Sequence, residues 1–425
     1  MKSKKLISII ISLCMVMTGI MCCLGCDGEK PYVDTSNAAV PGQFDNPETA
    51  KAKEAEDDAA GREHIEIPEG AETIEIDGEI YYPIDSLDID SYTYGADYLS
   101  KNYILTGDVD ITGDDSHIGE VRGYYFANFH ISDIPFTGKF NGNNYKIYGV
   151  CERYIFDYVK DAEISNFVLS SDLTISETGR RKERVFCARA ENSVIKNIIN
   201  YSRVDGGGGL IANAYDCKIE NIVNYGDGNE SYASIIGFMW AGEVKNCKNY
   251  GNFTVSASMN HFGAIVGRVW HQQWLGTDNT GSVIENCENY GNLIGVKKLG
   301  GIVGEVARHY DYVDTTIRDN SSKIINCTNH GNLYRNKNSV YTMLGNRYGY
   351  TFSYIGGIVG MGSYIENCTN HGHIYGFESI DPTYIAEHIG GIAGVARAVT
   401  DCINNNNIVT DSNVKYVDNI CGEIF

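Results

Sequence analysis

Ile284-Glu-Asn-Cys-Glu-Asn-Tyr-Gly-Asn292 decides the fold, because the chain says it again. It returns as Ile324-Ile-Asn-Cys-Thr-Asn-His-Gly-Asn332 and as Ile365-Glu-Asn-Cys-Thr-Asn-His-Gly-His373. A second phrase follows each copy: Gly300-Gly-Ile-Val-Gly304, Gly356-Gly-Ile-Val-Gly360 and Gly390-Gly-Ile-Ala-Gly394. Internal repetition of this kind defines an architecture before any single residue is weighed.

Aligned on the Asn before the cysteine, the copies extend upstream. Two residues before it stand Ile164, Ile195, Ile219, Val244, Ile284, Ile324, Ile365 and Val399, an inward β-branched column. The next column, Ser165, Lys196, Glu220, Lys245, Glu285, Ile325, Glu366 and Thr400, is mostly polar and faces out, with Lys and Glu alternating so that stacked neighbours have opposite charge. After the aligned position come Phe167, Ile198, Ile222, Cys247, Cys287, Cys327, Cys368 and Cys402. Cysteine takes the place of Ile there, so these thiols read as small buried hydrophobes rather than a metal or redox cluster, whose ligands converge with polar partners. Asn246, Asn286, Asn326 and Asn367 belong with Cys247, Cys287, Cys327 and Cys368 to this structural ladder.

Three residues beyond the cysteine column stand Tyr201, Tyr225, Tyr250, Tyr290, His330, His371 and Asn405, each preceded by an Asn, from Asn200 to Asn404. These preceding Asn residues suit a turn at positive φ, and stacked Asn side chains can bond along an axis. The His residues fill a Tyr slot, which points to an aromatic stack rather than a metal site. Copies lie 24 to 41 residues apart, with no amphipathic helix between them. Strands one coil apart must then run parallel, about 4.8 Å from one another. The expectation is an all-β fold: a right-handed parallel β-helix, or β-solenoid, of eight coils over 162–425, with an N-terminal β cap and first coils over 92–161.

Composition agrees, with 47 Gly, 30 Tyr and 7 Pro suiting short strands joined by tight turns. The formal charge is -21, but residues 27–90 alone hold 19 Asp and Glu against 4 Lys and Arg. Residues 27–91 read as an acidic flexible tether, with a short β hairpin near 63–84. No basic stripe points to nucleic acid. Ahead of the tether, Lys2, Lys4 and Lys5 precede an apolar run from Leu6 to Leu24 that ends Cys23-Leu24-Gly25-Cys26. Residues 1–26 resemble a bacterial lipoprotein signal, which implies lipid attachment at Cys26, a membrane partner through that lipid, and an extracytoplasmic, cell-surface location.

The stretch Phe136-Thr-Gly-Lys-Phe-Asn-Gly-Asn-Asn-Tyr-Lys-Ile-Tyr-Gly149, with Tyr103-Ile-Leu-Thr-Gly-Asp-Val-Asp-Ile111 before it and Val159-Lys-Asp-Ala-Glu-Ile-Ser-Asn166 after it, resembles bacterial surface proteins with GLUG-type repeats. The Gly-Gly-Ile-Val-Gly and Asn-Cys phrases match those repeats, and the resemblance spans 95–425. It implies a parallel β-helix on an anchored, adhesin-like surface protein, and says little of activity.

Function is sought on the inserts that lengthen some coils. They carry Trp270, His271 and Trp274; Arg308, His309, Tyr310 and Tyr312; Tyr341, Arg347, Tyr348 and Tyr350; and Tyr375, Phe377 and Tyr384. Consecutive coils would set them out in adjacent pairs. Such residues suit binding of a protein or a sugar ring. The reading is non-catalytic binding of an extracellular glycan or protein, with no cofactor and no metal. A β-helix polysaccharide lyase or hydrolase is the alternative, with Asp311, Asp314 and Asp319 beside Arg308 and Arg318 as its candidates; a spacer without ligand is the third. Asn419-Ile-Cys-Gly-Glu-Ile-Phe425 occupies the second phrase's slot in the last coil, whose edge invites self-association.

Overall fold

The computed structural model describes residues 47–87, 89, 97–113, 118, 134–151, 154–175, 186–255, 261–271, 281–295, 297–308, 322–335, 353–362, 364–376, 387–410 and 416–424. They form a parallel β-solenoid. A 26-stranded sheet makes one wall, and sheets of six and five short strands make the others. One coil shows the path. Strands Val283–Glu285 and Glu288–Asn289 lie on the long wall, Leu293–Gly295 on the second and Lys298–Gly300 on the third. The chain then returns to the long wall at Val303–Arg308.

The inward column stacks as expected: Ile164, Ile195, Ile219, Val244, Ile284, Ile324, Ile365 and Val399 pair in unbroken register. All but Val399 are buried. The cysteines are packed inside as free thiols, and Cys247, Cys287, Cys327 and Cys368 are fully buried. The outward charged column is also in register, but its ion pairs are mixed. Lys245 reaches Glu285 at 3.8 Å and its own strand's Glu243 at 2.9 Å, while Lys196 turns to Glu163 at 2.7 Å.

The two Asn columns divide the work differently from the expectation. Positive φ belongs to Asn246, Asn286, Asn326 and Asn367, at 56°, 55°, 54° and 52°, which kink the long wall between its paired strands. The positive-φ column is bonded side chain to side chain only in part, from Asn221 through Asn197 and Asn166 to Asn141 and from Asn367 to Asn326, whereas the column from Asn200 to Asn404 forms the continuous, more deeply buried ladder. Each Nδ2 donates to the next Oδ1, at 2.7–2.9 Å, and to the carbonyl two residues ahead. A buried amide needs partners for both its ends, and a neighbour one strand away supplies them. Glycine follows for a different reason: a Cβ at Gly291, Gly331 or Gly372 would lie 1.8 Å from the carbonyl oxygen of the preceding coil's glycine.

The tether reading is corrected over part of its length. Pro47–Ala60 forms a helix, α1, that lies on the solenoid. Ala50 is buried against Val168 and Tyr201, Glu54 accepts from the Ser171 N–H at 2.9 Å, and Asp57 takes the Tyr201 hydroxyl. Lys146 bonds Asp58. The footprint follows a column that runs Val168, Ile199, Val223 and then Lys248, Glu288, Thr328. That column is apolar in its first coils and polar after them. Strands Ile74–Ile76 and Glu79–Ile84 pair antiparallel as the hairpin, and the second already stacks in parallel on Tyr103–Leu105. The parallel stack therefore begins at residue 82, inside the stretch assigned to the tether.

Candidate functional site

The inserts leave the coils where neighbouring rungs meet. Strands Val266–His271 and Val303–Arg308 pair until His271 faces Arg308, and their continuations pair again at Val283 and Lys323. Residues 272–282 and 309–322 thus depart and rejoin on adjacent rungs. The second pair leaves after Leu333–Arg335 and Ile374–Gly376 and rejoins at Ser353 and Glu387, also neighbours. In the next coil, which has no insert at this turn, strand Val359–Met361 is followed by Tyr364–Glu366, so the first pair of inserts is an addition to a turn that closes with two residues.

Trp274, His309, Tyr310, Tyr312, Tyr341, Arg347, Tyr348, Tyr350, Phe377 and Tyr384 lie outside the described residues, as do Asp311, Asp314, Arg318 and Asp319. His271 and Arg308 are the last residues of their strands. Tyr375 lies on strand Ile374–Gly376, half-buried, its ring stacked 4.7 Å from that of Tyr334. Trp270 is not on a loop. It sits on strand Val266–His271, 8% exposed, 5.5 Å from Trp240 and 5.8 Å from Phe238, with the Arg268 guanidinium 4.3 Å from its ring. The strand continues past Gly267 because it has partners on both sides.

Trp270 belongs to a polar and aromatic corner that the sequence reading missed. Phe238, Arg268 and Glu305 are successive rungs of one outward column on the long wall. His261 and Lys298 are successive rungs on the five-stranded wall. The Gly-rich bends 263–267 and 300–304 join the two walls and bring these columns together. Glu305, with its side chain 3% exposed, bonds Lys298 and lies 3.1 Å from Arg268 Nε and 3.7 Å from His261 Nδ1. Burial pushes its carboxyl up, but the charges of Lys298 and Arg268 outweigh burial and hold it at about 2. Burial, with Arg268 beside it, holds His261 well below the usual imidazole range, so His261 is neutral. Tyr232 stacks on the His261 ring at 4.7 Å, and Phe238 meets it edge-on at 5.3 Å. Among the described residues, neither His261 ring nitrogen nor Trp240 Nε1 has a hydrogen-bond partner. The corner thus combines buried aromatic rings, desolvated charge and unpartnered ring nitrogens at the root of the first two inserts, and is the candidate site. The signal was available in the sequence: the residues flanking the second phrase, His261, Lys298, Tyr354, His388 and Tyr416, form a column as regular as the cysteines.

The second aromatic array is different. Tyr201, Tyr225, Tyr250, Tyr290, His330 and His371 stack with centroids 4.5–5.3 Å apart and rings within 13° of parallel. Their faces are turned to one another, so only ring edges meet solvent. A sugar needs an aromatic face, and this ladder offers none between rungs.

No protein family, curated protein or solved structure matches the chain.

Proposed function

We propose that this protein is an exported, lipid-anchored solenoid of the bacterial cell surface that binds an extracellular glycan or protein without transforming it. The observation that carries the reading is that the two adjacent strands from which the inserts over 272–282 and 309–322 depart also carry Arg268, Trp270 and Glu305, which meet Trp240 and His261 at one corner. Rigid strands position that corner, as binding constellations require. The anchor rests on the Cys26 motif, and association between copies on the coil over 398–424, where Ile403, Tyr416 and Ile424 are exposed.

Two of the chain's three tryptophans, Trp240 and Trp270, lie at the corner, and the third, Trp274, follows Trp270 by four residues in sequence, so intrinsic fluorescence reports on it. Screening glycans and extracellular proteins against the full chain should yield ligands that shift this emission and emerge chemically intact. Ligands that bind with unchanged emission would move the site elsewhere, and depolymerised polysaccharide would favour the lyase or hydrolase reading. Loss of lipid labelling in Cys26→Ser tests the anchor, and a single monomeric mass at high concentration would remove self-association.

A further inference from the structure

The cysteine column does more than fill space. Flanking strands pair Lys245 with Glu285 and Lys248 with Glu288, which sets Cys247 opposite Cys287. The same register sets Cys287 opposite Cys327, Cys327 opposite Cys368 and Cys368 opposite Cys402. Each side chain adjoins the next. The Cys327 and Cys368 amides lie 3.4 and 3.3 Å from the sulfur of the following coil. Five free thiols therefore run in file through the interior and end at Cys402, which is partly exposed.

We infer that this column is a site for thiophilic, two-coordinate d10 cations, each held in line between the sulfurs of two successive coils. The spacing selects this chemistry. A disulfide needs Cβ atoms about 3.5–4.5 Å apart, shorter than the roughly 4.8 Å between stacked strands. Two metal–thiolate bonds of about 2.3 Å placed end to end span about 4.6 Å, close to that strand spacing. Inward side chains stand roughly perpendicular to the stacking axis, so a metal lying along the axis meets each sulfur at an angle near that of a bent thiolate. Tetrahedral ions are not served, because among the described residues no three His, Cys, Asp or Glu side chains converge on a point. Soft thiolate sites select soft ions in any case.

Charge narrows the choice further. The column packs in one apolar cluster with Ile284, Ile324 and Ile365. A divalent ion bound by two thiolates adds no net charge to this apolar interior. Each ion forms two metal–sulfur bonds and releases two thiol protons to solvent, with no change of oxidation state. Mercuric ion is the probe that satisfies all of these conditions.

Five thiols in file accommodate two such ions, and the arrangement makes position matter. Removing Cys327 leaves the pairs Cys247–Cys287 and Cys368–Cys402 intact. Removing Cys287 isolates Cys247 and leaves one pair among Cys327, Cys368 and Cys402. The full chain, Cys287→Val and Cys327→Val are loaded with mercuric ion under excess monothiol, which strips single-thiol adducts, and counted by native mass spectrometry. Valine suits a column that elsewhere carries Ile198 and Ile222, and unchanged circular dichroism confirms folding. Cys287→Val should hold one ion fewer than the parent, and Cys327→Val the same number. Cys368→Val and Cys247→Val should repeat the contrast in that order. The other cysteines form a background common to all variants. Loss of one ion in both Cys287→Val and Cys327→Val, loss in neither, or the reverse order overturns the proposal, as does equal retention of zinc.

Discussion

Asn289→Ala is the perturbation whose cost follows most directly from the geometry. Asn289 is fully buried. Its Nδ2 donates to Asn329 Oδ1 at 2.7 Å and to the Gly291 carbonyl at 2.9 Å, and its Oδ1 accepts from Asn249 Nδ2 at 2.8 Å and from the Gly291 N–H at 3.2 Å. Alanine leaves Asn329 Oδ1 and both Gly291 backbone groups short of a partner inside the wall, while Asn249 keeps its bond to the Gly251 carbonyl. At about 1–3 kcal/mol for each of these three buried groups left unpaired, the loss is about 3–9 kcal/mol. That is a large part of the stability of an ordinary domain. Asn286→Ala, three residues away, removes only the residue type suited to φ 55°, and should cost about 1–2 kcal/mol. Urea unfolding followed by circular dichroism measures both. Equal losses, or a loss below about 1 kcal/mol for Asn289→Ala, would refute the division into a buried ladder and a turn column.

Gly331→Ala should destabilise by about 3 kcal/mol or more by the same measurement, because its Cβ would lie 1.8 Å from the Gly291 carbonyl oxygen, whereas Gly295→Ala meets only side chains, Leu299 at 3.1 Å and Val255 at 3.4 Å, and should cost less. Thermal melts against pH should fall in two windows. His261, held neutral in the fold, contributes stability that is lost as pH drops below its ordinary 6.5, and Glu305, held at about 2, contributes stability present above 4.5 and lost between 4.5 and about 2. Glu305→Gln should flatten the lower window and lower the melting temperature at neutral pH, since Lys298 and Arg268 lose their counter-ion. Ala50→Glu should lift α1 from Val168 and Tyr201, seen as faster tryptic cleavage at Lys51 and Lys53 with little change in the melting of the coils.

The coil architecture was legible because stacking imposes one register on every column. The run from Ile164 to Val399 could be aligned by eye and pairs in that order. The roles of the two Asn columns were harder to tell apart, since both residue sets suit turns. One substitution distinguishes them: the last copy carries Asp401, which tolerates positive φ (53°) but cannot donate along a ladder, whereas the buried column keeps Asn through Asn404. Helix α1 was illegible because Ala50 is the one deeply buried apolar residue among its described side chains, too little to show a periodic face among so many charges. The corner at Glu305 escaped notice because its members come from two walls and meet only when the coil bends, although each column is regular by itself.

The central claim is that the repeat is scaffold and the inserts, with the corner beneath them, are where a partner is held. It is tested by trimming residues 272–282 and 309–322 to the two-residue turn that follows Met361 and repeating the extracellular ligand screen. The account predicts an unchanged melting temperature and circular dichroism spectrum with binding lost. A trimmed chain that melts normally and still binds every ligand of the parent would contradict it.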